Sequence, residues 1–236
     1  MKNISLILIA LFLFGCGPDY GPKKKNTTVI SHDYEEGPEF VPRASDLETE
    51  DQEELYTLYR DLWQNPLLVI QRLGDLEGKT LADIGAGPYG YFSMLIASRT
   101  KIGRVIAIDI DPEAIKFMDH AKDLLPDTVQ NRIETRLVTP DDARIQKEEV
   151  DIILIVNTAV FFEDRIDYFK SLLPGLSEDG KLVIIDFKMR NTPVGPSLDE
   201  RIPLGQMESD LLKAGYQIRI SDDRSLDFQY IVVAEK

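Results

Sequence analysis

A glycine-rich turn and an acid 24 residues beyond its first glycine carry the most specific chemistry that this sequence offers. Asp83-Ile84-Gly85-Ala86-Gly87-Pro88-Tyr89-Gly90 lies between the apolar run Thr80–Ile84 and a helical stretch that begins at Tyr91. Glycines at such a junction let the backbone come close to a ligand, and the amides that open the helix favour an anionic group. Taken alone, Gly-x-Gly-x-x-Gly also fits dinucleotide binding. The next apolar run, Val105-Ile106-Ala107-Ile108, ends in Asp109, where a carboxylate can accept hydrogen bonds from both hydroxyls of a ribose. The alternative for such an acid is to cap the following helix, but Asp111, directly before Pro112, fits that task better. The two features imply a nucleoside ligand at the carboxyl edge of a sheet.

The elements that must position these residues follow from periodicity. Short β-type runs at Thr80–Ile84, Arg104–Asp109, Ile133–Val138, Val150–Val156 and Lys181–Phe187 alternate with helical stretches at Tyr91–Ser98, Pro112–Leu125 and Asp164–Leu173. Continuously apolar runs such as Ile152-Ile153-Leu154-Ile155-Val156 are expected to be covered on both faces, as in a parallel sheet between helices. Residues 188–204 carry three prolines and a glycine and read as a loop; Gln206–Ala214 reads as a helix closed by Gly215. Two further runs, Tyr216–Ser221 and Phe228–Ala234, are too close in sequence to pair other than antiparallel. Upstream, Ser45–Glu48 has the spacing of a capping box, and Leu55, Leu58, Tyr59 and Leu62 predict an amphipathic leading helix. The fold class is thus α/β: a doubly wound, seven-stranded, mostly parallel sheet with an antiparallel last strand, in three α/β/α layers.

From Trp63 to Lys236 the chain resembles the class I, Rossmann-like S-adenosylmethionine-dependent methyltransferases. The resemblance rests on Asp83-Ile-Gly-Ala-Gly87, Ile106-Ala-Ile-Asp109-Ile-Asp111-Pro112, Val150–Asn157 as a fourth strand, Leu173-Pro-Gly175, and Gly180–Asp186 as a fifth. It implies S-adenosylmethionine as cofactor, with Gly85, Ala86 and Gly87 against its methionine part and Asp83 holding the loop or reaching the amino group through water. It also implies Asp109 on the ribose, Ile110 along the adenine, Asp142 at the adenine amino group and Asn157 facing cofactor and acceptor. A gapless alignment puts Thr139 in the place of Asp142. A closer bacterial group shares Trp63-Gln-Asn-Pro66 and Gln229-Tyr230, but it has Tyr-His where Ala159-Val160 follow Asn157-Thr158 here. The imidazole that would serve as an acid or base is therefore missing, and the catalytic residues are unknown. His32 and His120 are not placed to replace it. Tyr89, Tyr91, Phe161 and Phe162 could wall the transfer site, or simply pack the core.

The N-terminus points elsewhere. Lys2 precedes an apolar run, Ile4–Phe14, whose 11 residues are too short to span a bilayer and suit a signal peptide. Leu13-Phe-Gly-Cys16 resembles a bacterial lipobox and contains the only cysteine of the 236 residues. The expected division is a lipoprotein signal peptide at 1–15, a lipidated Cys16 with a Pro/Gly/Lys-rich tether at 16–44, and a methyltransferase-like domain at 45–236. Acylation of Cys16 would anchor the protein to a lipid membrane of the bacterial cell envelope, on the periplasmic or outer face.

Composition removes several classes. A formal net charge of −14 disfavours a nucleic-acid partner, and one cysteine with two histidines supports neither a disulfide framework nor a Cys/His zinc site, so no metal is expected. Neither a Gly-x-x-x-x-Gly-Lys-Ser/Thr phosphate loop nor a Gly-x-Ser-x-Gly elbow occurs. The expected activity is methyl transfer to a small-molecule acceptor by a lipid-anchored enzyme. The alternative is a non-catalytic ligand-binding or scaffold lipoprotein that kept the fold.

Overall fold

The computed structural model describes residues 60, 61 and 63–236. The expected signal peptide, Cys16, the expected tether and most of the segment read as a leading helix lie outside the described residues.

Five strands run parallel in the order of their packing: β3 (Ile133–Leu137), β2 (Arg104–Asp109), β1 (Thr80–Ile84), β4 (Val150–Val156) and β5 (Leu176–Phe187). β7 (Gln229–Glu235) then pairs antiparallel with β5 and with the edge strand β6 (Gln217–Asp222). The order β3-β2-β1-β4-β5-β7-β6 makes the seven-stranded sheet that the apolar runs predicted. Chain direction along the sheet reverses between β1 and β4, where the connections leave to opposite faces and open a crevice at the carboxyl ends.

Alternate side chains of each strand feed two cores. Ile84, Ile108, Ile155, Ile184 and Tyr230 face α5 (Arg165–Leu172) and α6 (Leu204–Ala214). Leu81, Val105, Leu154, Val183 and Ile231 face α1 (Pro66–Leu73) and α2 (Tyr91–Arg99). Both sets are almost wholly excluded from solvent, which is why these strands read as unbroken apolar runs rather than alternating ones.

Most elements lie where the residue pattern put them, and the departures have local causes. α3 (Pro112–Lys122) ends before Leu125, because Leu124 and Leu125 close tight turns onto the carbonyls of Ala121 and Lys122 and Pro126 cannot continue a helix. The short helix α4 (Asp127–Gln130) follows that proline and was not evident from periodicity. β5 starts at Leu176 rather than Lys181: its pairing with β4 jumps from Val150–Leu176 to Ile152–Lys181, a bulge that keeps Leu176 buried. The loop at 188–204 is pinned from within. The Arg201 guanidinium donates to the carbonyls of Lys188, Arg190 and Pro196 and to the Thr192 hydroxyl, and it lies 5.1 Å from the Phe187 ring centroid.

Candidate functional site

The bend between β1 and α2 is made of residues that few side chains tolerate. Gly85, Gly87 and Gly90 have φ of 75°, 70° and 51°, in the left-handed region. The backbone N–H groups of Gly85 and Ala86 both donate to the Ile108 carbonyl, at 2.9 and 3.0 Å, tying the bend to the neighbouring strand. The Gly87 N–H donates to Asp109 Oδ2 at 2.8 Å, and the Asp111 N–H donates to Oδ1 at 3.0 Å. Asp109 is therefore turned toward the glycine bend. Asp111 caps α3, accepting from the Glu113 N–H at 2.9 Å. The two acids that compete in the sequence are divided by geometry.

A cavity of about 460 Å³ opens along the carboxyl ends of β1, β2 and β4. Asp83, Gly85, Ala86, Gly87, Asp109, Ile110 and Asn157 all line it, so seven of the eight residues proposed for cofactor contact share one wall. Asp142 does not. It is exposed, forms an isolated bridge with Thr139, and accepts from the Arg144 N–H at 2.7 Å; the adjoining wall is made by Val138 and Pro140. The position expected of an adenine-facing acid is held here by a tight Thr139–Asp142 turn that aims the carboxylate along the loop. Asp142 still acts on the cavity at one remove: burial, with help from Asp142 and Asp141, pushes the Tyr168 hydroxyl up to about 12.

Of the four aromatics considered, Phe161 and Phe162 line the cavity and Tyr89 and Tyr91 do not. Phe162 stacks on Tyr168, with centroids 4.0 Å apart, whereas Phe161 is 79% exposed at the rim. Tyr89 packs edge-on against Phe117, and the Tyr91 hydroxyl donates to Asp61. His120 is exposed in the last turn of α3.

Four lining residues carry little signal in the sequence: Arg60, Phe92, Thr158 and Tyr168. Arg60 belongs to no motif, although it lies three residues before Trp63-Gln-Asn-Pro66; it stacks 4.2 Å over the Tyr91 ring centroid. Two other motif residues sit behind the wall. Gln64 and Gln229 are fully buried, and the Gln64 amide donates to Gln229 Oε1 at 3.1 Å across 165 residues of sequence. Gln229 Nε2 donates in turn to Asn157 Oδ1 at 2.5 Å, while Gln64 Oε1 accepts from Arg60 Nε. Asn157 itself has φ of 57°, in the left-handed region that asparagine enters more readily than most side chains.

Two carboxyls near the edge are buried. Asp83 accepts from Ser93 Oγ at 2.7 Å, and desolvation, opposed by that bond and by the charge of Arg60, pushes it up to about 6. Asp186, at the end of β5, accepts from the Phe187 N–H at 2.7 Å, leaves Oδ2 unpaired, and is also pushed up to about 6 by burial. A carboxyl whose pKa rises on folding stabilises the fold fully only below its unfolded value of 3.8, and that contribution is lost as pH rises through about 6. Asp186→Asn is therefore expected to be more stable than the native chain at pH 8 by roughly 2 kcal/mol, with the gap closing toward pH 4. Urea denaturation at pH 4, 6 and 8 measures it; a gap independent of pH would refute the assignment. Among the described residues no three His, Cys, Asp or Glu side chains are grouped so as to hold a metal ion.

Comparison with known proteins agrees with this architecture. Residues 82–184 match the methyltransferase domain family. The structure is similar to a SAM-dependent methyltransferase from Aquifex aeolicus, at 19% identity and a TM-score of 0.70, over 80% of this chain and 98% of that one. It is similar also to geranyl diphosphate C-methyltransferase from Streptomyces coelicolor A3(2), crystallised with S-adenosyl-L-homocysteine, at 17% identity and a TM-score of 0.60, over 82% and 86% of the two chains. The [4+2]-cyclase SpnF matches at 15% identity and a TM-score of 0.62, over 73% and 80%. The chain thus has the class I methyltransferase fold, with the methyltransferase domain match spanning β1 to β5.

Proposed function

We propose that this chain binds S-adenosylmethionine in the cavity between β1, β2 and β4 and transfers its methyl group to a small-molecule acceptor, from a bacterial envelope membrane to which an acylated Cys16 anchors it. The observation that carries the reading is the hydrogen bond from the Gly87 N–H to Asp109, which brings a ribose-type acceptor and a ligand-approach bend to one point. Space at the bend supports it: a Cβ built on Gly87 meets no atom within 4 Å, so the glycine leaves room on the cavity side. The cofactor, when bound, supplies a methyl group on a positively charged sulfonium.

The residues then have separable tasks. Asp109 spends one acceptor site per oxygen on backbone N–H groups and keeps further lone pairs on each oxygen for two ribose hydroxyls. Ile84, Ile108, Ile110, Val138 and Phe162 give an apolar slot for a flat base. Asp83, beside the bend, favours a cationic ligand once ionised. Phe161 at the rim and Phe162 beneath it exclude water from a displacement that depends mainly on holding donor and acceptor in line. Among the described residues no histidine lines the cavity, and an acceptor that arrives with a free lone pair suits that lining better than one that must lose a proton early.

Calorimetric titration of residues 17–236 with S-adenosylmethionine tests binding, and label from a methyl-tritiated cofactor entering an envelope extract tests transfer. Binding of a cation favours ionised Asp83, so affinity is expected to rise roughly three- to tenfold from pH 5 to pH 7 and then level. Absence of binding at millimolar cofactor would end the enzyme reading. Binding without transfer would favour the second reading, a ligand-binding lipoprotein, which the match to a [4+2]-cyclase keeps open, since the fold does not dictate the reaction. A palmitate label lost in Cys16→Ser tests the anchor. No helix among the described residues is long and apolar enough to cross a membrane.

A further inference from the structure

Apolar side chains at the mouth of the cavity stand open to solvent, where a contiguous patch marks a surface that something covers. Phe161, Ile110 and Pro140 each line the cavity and are each exposed, Phe161 by 79% and Ile110 by 56%, so they form its rim just beyond the ends of β4, β2 and β3. Tyr89, two residues beyond Gly87, continues the patch with Phe117 of α3; the two rings meet edge-on at 5.3 Å and each is 49% exposed. Core packing does not account for rings left this open. Two further observations say what covers them. The segment that runs back toward Cys16 leaves the described residues at Arg60, which lines this same cavity, so a chain held to lipid from its N-terminal side is held beside the mouth. The carboxyl ends of β2, β3 and β4 lead into Asp111, Glu113, Asp141, Asp142, Glu163 and Asp164, all exposed, against Lys116, Arg144 and Arg165 in the same stretches. That excess of acids repels anionic headgroups and attracts the ammonium groups of zwitterionic ones.

We propose that this rim is a second membrane contact: Phe161, Ile110, Pro140, Tyr89 and Phe117 seat on a zwitterionic lipid surface, and the cavity takes as its acceptor an amphiphile dissolved in that lipid. The acceptor rests on the anchored-methyltransferase reading given above, whereas the docking face is defined by the described residues alone. A lipid on Cys16 supplies proximity and no orientation, because it is attached 44 residues before Arg60. The rim supplies the orientation. Its side chains suit an interfacial contact: the phenylalanines and Ile110 bury apolar area below the headgroups, and Tyr89 keeps its hydroxyl at headgroup level. An amphiphilic acceptor then enters past Phe161 without carrying its hydrocarbon part through water.

Quenching of a membrane-sensitive dye tests the docking face apart from the anchor. The chain of residues 17–236 holds the whole sheet and both cores, and without Cys16 it has no thiol of its own. An N-terminal histidine tag holds it to phosphatidylcholine vesicles through a nickel-chelating lipid and stands in for the acyl group. A nitrobenzoxadiazole dye is placed on Glu163→Cys, two residues from Phe161, or on Lys101→Cys, before the amino end of β2; both native side chains are exposed and lie outside the cavity lining. Doxyl groups on the lipid chains are expected to quench the dye at 163 and to leave the dye at 101 unchanged. Adding Phe161→Asp should reduce the quenching at 163 at least about tenfold. The native ring is mostly in solvent, so the fold is expected to survive, and a melting curve checks it; should it fail, the comparison of 163 with 101 decides by itself. Replacing part of the phosphatidylcholine by phosphatidylglycerol should weaken the quenching. Equal quenching at both positions, none at either, or stronger quenching with phosphatidylglycerol overturns the proposal. A dimer by light scattering in which position 163 is shielded overturns it too, since the rim then serves a second copy. For the acceptor, label from methyl-tritiated cofactor is expected in the organic-solvent fraction of an envelope extract, and label confined to the aqueous fraction overturns an amphiphile. Loss of the palmitate label or of cofactor binding removes the anchored-methyltransferase reading while the dye at 163 still reports on the docking face; cofactor binding without quenching overturns the docking and leaves that reading intact.

Discussion

Asp109→Ala is expected to weaken binding of S-adenosylhomocysteine at least about 100-fold. Charge-assisted hydrogen bonds are worth about 1.5–3 kcal/mol each, and the substitution removes two such bonds to ribose hydroxyls. It also strips the Gly87 N–H of the carboxylate that it donates to at 2.8 Å, so the bend itself loses a restraint. Asp109→Asn separates the two effects. Its amide oxygen can keep the Gly87 bond, but its nitrogen cannot accept from a hydroxyl, so a loss of roughly tenfold is expected. The same nitrogen then faces the Asp111 N–H, which donates to Oδ1 in the native chain, so a stability loss of about 1 kcal/mol is expected as well. Titration calorimetry of both variants provides the measurement, and affinities within threefold of the native chain would show that Asp109 serves the loop and not a ligand.

Gly85→Ala should damage the fold itself. A Cβ at this position would stand 2.3 Å from Thr158 Oγ1 and 2.4 Å from its Cγ2, with the backbone at φ of 75°. Left-handed strain adds about 1 kcal/mol and overpacking about 1–3 kcal/mol, so a loss of roughly 2–4 kcal/mol is expected. For a chain of this size that lowers the melting temperature by roughly 5–15 °C. Relief through Thr158→Ala in the same chain should recover part of the loss. Gly87→Ala provides the contrast, because its φ is 70° but no atom lies within 4 Å of the added carbon. It should cost about 1 kcal/mol of stability while reducing ligand affinity, since the methyl group intrudes where the ligand approaches. Calorimetric melting curves of the three variants would distinguish the two glycines; equal destabilisation by both would contradict the distinct surroundings assigned to them.

The readability of the site followed how local each determinant was. Asp83, Gly85, Gly87 and Asp109 could be placed because each ends or leaves a strand whose apolar run is continuous, and a strand end on a parallel sheet points to one edge. Asp142 was misplaced with respect to the cavity wall for the opposite reason: after β3 the chain makes a four-residue turn closed by Thr139, and a shift of one or two residues there decides which side chain faces inward. Arg60 and Tyr168 line the cavity from segments far apart in the sequence, and nothing in their immediate neighbours marks them.

What the amino-acid order determined by itself is the succession of strands and helices, the antiparallel closing pair, and the convergence of a glycine bend with an acid at one sheet edge. Those features follow from side-chain period and from backbone conformations that only glycine adopts freely, both of which act over a few residues. Tertiary structure alone decided that Gln64 and Gln229, 165 positions apart, would share a hydrogen bond behind Asn157, and that Asp83 and Asp186 would be buried deeply enough to be pushed up to about 6. Hydrogen-bond partners and desolvation depend on what surrounds a group from every side, and those surroundings exist only once distant segments have packed.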